Sequence, residues 1–348
     1  MKKLLGVCLA AMLTVSLAAA AEFVRPDWAK GVDEVTGRIT VYTTMEETQQ
    51  AVVRELWEKL YPKCKLEFQS DSIGTLMTRV KSESASPVAD VIGGGVFETD
   101  GSRFHDLLQP YVSVNDPQQN YHDSTGYYTY FDVQIMSLVV NKELRDELGI
   151  EIRGYNDLLN PKLKGKIIMA NPSASSSAYR QLQTILATMG DIFDDEKGWA
   201  YIEQLMKQCD GVMTNSSTQV FNDVINGEYV VGLSYESTVQ AMIDSGADNI
   251  ENVYMVEGNT AMASGCAIVK GAPNLVAAQA MMDLQASNLF QDLRSEKSGG
   301  RGTNKLCKDS GLPKDDTLGL IPLDYEYLRK NQAELMNKWA RLWAKVNN

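Results

Sequence analysis

Short runs with apolar residues at every second position are followed, repeatedly along this chain, by longer runs with apolar residues at every third or fourth position. Arg38-Ile39-Thr40-Val41-Tyr42 reads as a strand, ends in Thr43-Thr44, and leads to a helical face made by Val52, Val53, Leu56, Trp57 and Leu60. Leu66 and Phe68 mark a second strand. Ser72-Ile73-Gly74-Thr75 then opens a helix carrying Leu76, Met77 and Val80, and Ala89-Asp90-Val91-Ile92 runs into Gly93-Gly94-Gly95 as a third strand. The pattern restarts at Ile167-Ile168-Met169, which enters Asn171-Pro172-Ser173-Ala174-Ser175-Ser176-Ser177 before a helix through Tyr179, Leu182, Ile185, Leu186 and Met189. A helix with Trp199, Ile202, Leu205 and Met206 follows, then the turn Thr214-Asn215-Ser216-Ser217, a helix with Val220, Phe221, Val224 and Ile225, and a strand from Tyr229 to Leu233. Parallel strands need helical crossovers, so this alternation predicts an α/β fold with parallel or mixed sheets.

At 348 residues the chain is long enough for two such units, given roughly 150 residues per domain. Between them Asp132-Val133-Gln134-Ile135-Met136-Ser137-Leu138-Val139-Val140-Asn141 is strand-like without a turn signal, long enough to pass from one sheet to another and act as a hinge. Met262 to Val269 supplies a second crossing, and a closing helix carries Leu328, Leu335, Trp339, Leu342 and Trp343 near one face. The expected division is 37–131 with 258–300 in one lobe, and 132–257 with 301–348 in the other. The aromatic group Tyr127, Tyr128, Tyr130 and Phe131 is expected to pack between the lobes.

Lys2 and Lys3 precede an apolar run from Leu4 to Leu17, and Ala18 to Ala21 supply the small residues a signal peptidase accepts before Glu22. Residues 1–21 therefore read as a secretory signal. The run is shorter than the about 20 apolar residues that cross a bilayer, and Cys8 sits too early in it for a lipoprotein site. The mature chain is expected outside the cytoplasm, in the periplasm. Its four cysteines, Cys64, Cys209, Cys266 and Cys307, are even in number and allow three pairings, or equally four thiols packed in a large core.

Acidic residues outnumber basic ones by 45 to 33, a balance of −12 that becomes −14 once Lys2 and Lys3 leave with the signal, which argues against nucleic acid as a partner. The only histidines, His105 and His122, lack the spacing of a helical metal pair. No phosphate-binding G-x-x-x-x-G-K-[ST] loop and no G-x-S-x-G elbow is present, so neither an enzyme nor a cofactor is indicated.

In open α/β sheets ligands bind beyond the carboxyl ends of strands, where helix starts present backbone N–H groups. Four such loops here are rich in hydroxyls and amides: Thr43-Thr44-Met45-Glu46, Ser72 to Thr75, Asn171 to Ser177, and Thr214 to Ser217. Each could be a simple helix cap, but a cap needs one such residue and the third loop offers five. Together they suit an anionic or polyhydroxylated ligand, with Thr43, Thr44, Ser72, Asn171, Ser173, Ser175, Ser176, Asn215 and Ser216 as candidate contacts. Gly94, within the glycine triplet, would face the ligand from a turn. Tyr235-Glu236 follows a strand end, and Arg301 lies in the flexible Gly299-Gly300-Arg301-Gly302-Thr303; an arginine fork suits phosphate or carboxylate, and Glu236 suits sugar hydroxyls or an amine. Either charge could also be an ordinary surface residue.

The signal, the two α/β units and the crossing strands together resemble a substrate-binding protein of an ABC importer. Ile39-Thr40-Val41-Tyr42-Thr43-Thr44, Pro87-Val88-Ala89-Asp90-Val91, Asn171-Pro172 through Ser177-Ala178-Tyr179, and Gly227-Glu228-Tyr229-Val230-Val231-Gly232-Leu233 resemble the branch that holds ferric-ion, aminoethylphosphonate and hexose-phosphate receptors. The resemblance implies a two-lobed periplasmic-binding-protein (type 2) fold with two sheets joined by crossing strands, a monomer, and partner permease and ATPase subunits. It further implies a sugar phosphate or phosphonate bound by the loop hydroxyls. Ferric receptors of this branch usually place two adjacent tyrosines where this chain has Tyr235-Glu236; in the alternative, iron-binding reading those two residues hold Fe(III).

Overall fold

The computed structural model describes residues 23–190 and 196–347; the expected signal, 1–21, lies outside them. In chain order the principal elements are β1 (Gly37–Thr43), α1 (Glu47–Leu60), β2 (Cys64–Ser70), α2 (Ile73–Ser82), β3 (Val91–Phe97), β4 (Leu108–Gln109), β5 (Thr129–Asn141), α3 (Lys142–Leu148), β6 (Ile167–Ile168), α4 (Ser176–Met189), α5 (Glu196–Cys209), α6 (Ser217–Ile225), β7 (Val231–Tyr235), α7 (Glu236–Asp244), β8 (Ile250–Val253), β9 (Ala261–Val269), α8 (Leu275–Ala286), α9 (Asn288–Ser298), α10 (Tyr325–Lys330) and α11 (Gln332–Asn347). The fold is mixed α/β. The closing helix expected from the apolar spacing is two helices, α10 and α11, parted at Asn331.

Instead of two separate sheets, the strands form one hydrogen-bonded sheet of nine, in the order β2-β1-β3-β9-β5-β7-β6, with β4 on β9 and β8 on β5. The cause is β5. Over 129–135 it pairs antiparallel with β9, and over 136–141 it pairs antiparallel with β7 and β8. Thirteen residues without a turn signal leave no place to break the ladder, so both halves of the sheet share one strand. β1 pairs parallel with β2 and β3, and β6 with β7, as the crossover helices require.

Alternation along the strands feeds two faces. In the β1–β3 half, Val41, Val91 and Ile268 point to a core built with α1 and α8, while Tyr42, Ile92 and Ala267 point to one built with α2. In the β7 half, Leu138 and Val140 face α4, α5 and α11, whereas Val139 faces α6 and α7. The aromatic group at the start of β5 joins the first half: Tyr128 and Tyr130 enter the α2 core, Phe131 meets Phe290 edge-on, and Tyr127 stacks on His105 at 3.9 Å. Cys64, Cys209, Cys266 and Cys307 are all free thiols, and burial pushes Cys209 up to about 12 and Cys64 to about 11.

Gly93 to Gly95 is not a turn after the strand but a bulge within β3, where the register against β9 shifts between Gly93 and Val96. Gly94 and Gly95 have φ of +83° and +78°, and a Cβ on Gly95 would fall 2.6 Å from Thr44 Cγ2. Closer still is Gly265 on β9, whose Cβ would lie 1.9 Å from the Thr129 carbonyl oxygen of β5. Gly265→Ala should cost on the order of 3 kcal/mol, read as a lower urea midpoint at unchanged slope. Gly74→Ala in α2, where a new methyl meets nothing within 4 Å, should stabilise by up to about 1 kcal/mol in the same assay.

Candidate functional site

The loops before α1, α2, α4 and α6 converge on one cleft, formed by adjoining chambers of about 520 and 630 Å³ that share Thr44, Gly95, Phe97, Gln134 and Tyr235. Thr44 is held there by its backbone N–H, which donates to the Gly93 carbonyl at 3.3 Å. Ser72 caps α2 by accepting from Thr75 N–H, and Ser177 and Ser217 bring the first turns of α4 and α6 to the same chamber. The strand-to-helix geometry of an α/β fold thus aims four helix starts at a common space.

The smaller chamber is dominated by Arg180 of α4. Its guanidinium lies 3.5 Å over the centre of the Phe97 ring and donates to Gln134 Oε1, and the residue is 6% exposed. Among the described residues it has no ion-pair partner; Asp100 and Asp132 act on it only through space. Burial pushes it down to about 10, which leaves it charged at neutral pH. A desolvated cation with no counter-ion is costly unless something negative joins it. Arg103 and Arg329 stand at the rim, the first 3.6 Å from Asp100 and the second donating to Ser102 Oγ at 2.9 Å. Asp100 Oδ2 accepts from the Phe97 backbone N–H at 2.9 Å, and burial holds its carboxyl above the usual range.

The larger chamber has a different character. Phe131 and Phe221 give it aromatic walls, while Glu46, Asp132, Ser264 and Thr238 give it acceptors and hydroxyls. Asp132 pairs with the buried Arg294 at 2.9 Å and accepts from Ser264 Oγ at 3.4 Å. Tyr235, edge-on to Phe221 at 5.4 Å, stands between the chambers, and burial raises its phenol above the ordinary value.

Of the residues singled out in the sequence, Thr44, Ser72, Gly94 and Tyr235 line the cleft. Thr43 does not: it is fully buried, donating to the Gly93 carbonyl and accepting from Met45 N–H, because the last residue of β1 alternates inward. Ser175 caps α4 through Ala178 N–H, so Ser177 takes the cleft position; the side chain of Ser176 lies outside the described residues. Asn171 donates to Asn215 Oδ1 at 3.3 Å, its own Oδ1 accepts from Ser173 N–H, and Asn215 and Ser216 open onto a separate depression beside Asp223 and Glu228. Those amides fix the loop.

Glu236 and Arg301, both candidate contacts, are engaged with each other. Arg301 donates from Nε and Nη2 to the two Glu236 oxygens, both at 2.7 Å, and from Nη1 to Asp315 at 2.8 Å, while Tyr254 also donates to Glu236. Glu236 is 1% exposed, and neither residue reaches the cleft. β7 ends on Tyr235 and α7 starts at Glu236, so the adjacent side chains leave in different directions, and they do not present a paired metal site. Arg180, Gln134 and Asp100 were not anticipated. Arg180 does carry a signal: it is the only charged residue of the 14-residue α4.

The family model for bacterial extracellular solute-binding proteins matches residues 88–331. The chain belongs to that family. It is a non-catalytic solute-binding receptor of the ABC-importer class, and among the described residues no helix is long and apolar enough to cross a membrane. An uncharacterized protein of Haemophilus influenzae is 25% identical over 325 residues, covering 89% of this chain and 92% of the relative. The periplasmic binding protein AfuA of Actinobacillus pleuropneumoniae, solved with fructose-6-phosphate bound, is 26% identical with a TM-score of 0.75, over 88% of this chain and 99% of AfuA. Iron-bound HitA of Pseudomonas aeruginosa shares the fold at 17% identity and a TM-score of 0.72, over 89% and 99% of the two chains.

Removing one partner of a buried, fully hydrogen-bonded pair leaves the other charge stranded. Glu236→Gln should therefore cost about 3 kcal/mol in chemical denaturation while leaving affinity for the solute within about twofold. A variant with unchanged stability and lost binding would return Glu236 to the ligand.

Proposed function

We propose that this chain is a periplasmic receptor whose two lobes, 37–131 with 258–300 and 132–257 with 301–348, close around a small anionic organic solute, a sugar phosphate or phosphonate, and present it to a permease and its ATPase. The protein acts as a monomer, and β5 and β9 are the strands about which the lobes swing. One observation carries this reading: Arg180, charged, buried and, among the described residues, without an ion-pair partner, in the chamber where four helix starts meet. A phosphoryl or phosphonyl group there would supply the missing negative charge, and each charged hydrogen bond it accepted would contribute about 1.5–3 kcal/mol.

The larger chamber suits the rest of such a molecule. Aromatic walls cover the apolar face of a sugar ring, and carboxylate, amide and hydroxyl groups accept and donate around its edge. AfuA, the neighbour with fructose-6-phosphate, supports the same ligand class. Ferric iron fits less well, since Glu236 is bound to Arg301 and Tyr235 is held as a neutral phenol by burial.

Arg180→Met keeps the volume and removes the charge. The variant should lose at least a hundredfold in calorimetric affinity for fructose 6-phosphate, while the ligand-free protein melts at the same temperature or higher, because an unpaired buried charge has gone. A visible tyrosinate band in iron-loaded protein, with no response to organic phosphates, would replace this reading with the iron one.

A further inference from the structure

A short helix of one half of the sheet is fastened to a turn of the other half by a hydroxyl that has two acceptors. Leu328 of α10 is buried in the core shared with α4, α5 and α11, while Tyr325 and Arg329 of the same helix meet the 3-10 turn Glu98–Asp100 and the residues just after it. Arg329 donates to Ser102 Oγ at 2.9 Å, and a Cβ on Gly101 would fall 3.3 Å from Arg329 Nε. Tyr325 donates to the Ala261 carbonyl of β9 at 3.2 Å and is also hydrogen-bonded to the Glu98 carboxyl, which further accepts from the Ala263 N–H. A phenol has one proton to give, although it can accept as well. With Tyr325 turned to Ala261, its bond to Glu98 needs a proton on Glu98. The surroundings favour that proton. Asp123, in the loop before β5, is a second carboxylate in the field of Glu98, the phenols of Tyr121 and of Tyr130 on β5 lie in the same field, and Asp100 of the same turn is engaged by Phe97 N–H and Arg103. Among the described residues Glu98 has no ion-pair partner, and burial lifts its carboxyl above the usual range.

We propose that Glu98 is a positioning residue that carries a proton and starts a hydrogen-bond chain, from Glu98 to Tyr325 to the Ala261 carbonyl, by which acid fastens α10 over the cleft and rising pH loosens it. Neither Glu98 nor Tyr325 lines the cleft; they act through Leu328, Arg329 and Gln332, which do. Loss of the proton leaves one phenol facing two acceptors, an anion and a carbonyl, and one of them goes without its donor. With α10 lifted away, Glu98 meets water and returns to the ordinary carboxyl value of about 4.3. Fastened, it keeps its proton to higher pH, so the fastening is complete below the ordinary value and is lost as pH rises through the raised one. The device is independent of the ligand's chemistry, because every group in the chain belongs to the protein.

Hydrogen exchange reads the helix itself, through the Leu328 and Asn331 amides that donate to the Asp324 and Tyr327 carbonyls. Corrected for the intrinsic pH dependence of exchange, their protection in wild type should be at least about fivefold greater at about pH 5 than at about pH 8. Glu98→Gln, whose amide stays a donor at any pH, should keep the acid-level protection at both, and Tyr325→Phe should lower it at both. In calorimetry with fructose 6-phosphate, Glu98→Gln should bind at least about threefold more tightly than wild type at about pH 8 and within about twofold of it at about pH 5. The ligand's own titration is common to the two proteins and drops out of the comparison. Were the contact one of packing alone, Tyr325→Phe would lose protection while wild type showed no pH slope. A flat wild type overturns the proposal even if neither variant folds, and so does a slope that persists in Glu98→Gln. Should fructose 6-phosphate bind neither protein, the sugar-phosphate reading of the cleft fails, while exchange still decides the role of Glu98.

Discussion

An unbroken strand governs this molecule. Because β5 has no turn along thirteen residues, its ladder passes from β9 to β7 and β8 without interruption, and two αβ halves become one sheet. Over 129–135, before it changes partners, its neighbouring strand is β9, and the loop residue Arg301 bridges to Val133 on it. Phe131, Asp132 and Gln134, just before the change, contribute to the cleft although they belong to a buried strand. Gln134 then orients Arg180, so the floor of the cleft and its dominant charge follow from a backbone constraint.

Among the described residues, several buried charges sit in close pairs, whereas Arg180 has no ion-pair partner. Arg301 with Glu236 and Arg294 with Asp132 are close pairs, the first bidentate and extended by Asp315 and Tyr254. Such pairs contribute little net stability against apolar replacements, but they fix the loop after α9 against α7 and β5. Arg180 has a ring beneath it and an amide beside it, and neither neutralises it. The same desolvation that makes a lone cation costly strengthens its attraction for an anion.

Most of the architecture was legible because periodicity is local. The alternation around Ile39 to Tyr42 and the helical spacing of Val52 to Leu60 mark β1 and α1 without knowledge of anything distant. The hydroxyl-rich loops were legible too, although alternation along β1 sent Thr43 inward and capping took Ser175, details that depend on one residue of register. The commitments of charges were not. Glu236 and Arg301 are 65 positions apart, and no local pattern reveals that each would be consumed by the other. Asp100 and Arg329 meet at the cleft only because α10 packs over the turn after β3, a contact between remote segments. Arg180 was legible in principle, as the lone charge of a helix otherwise apolar or neutral, but a search for apolar spacing passes over the exception.

The cysteines bear on how such a protein can be made and watched. With Cys64, Cys209 and Cys266 sealed in the interior and none bonded to another, the fold owes nothing to oxidative cross-linking, and its integrity is independent of the redox state around it. Cys307 alone is partly exposed, on the segment that follows Arg301. Among the described residues a maleimide dye would meet one partly exposed thiol, and, because burial pushes Cys307 up to about 12, it would couple best at alkaline pH, giving a single attachment point for an optical reporter.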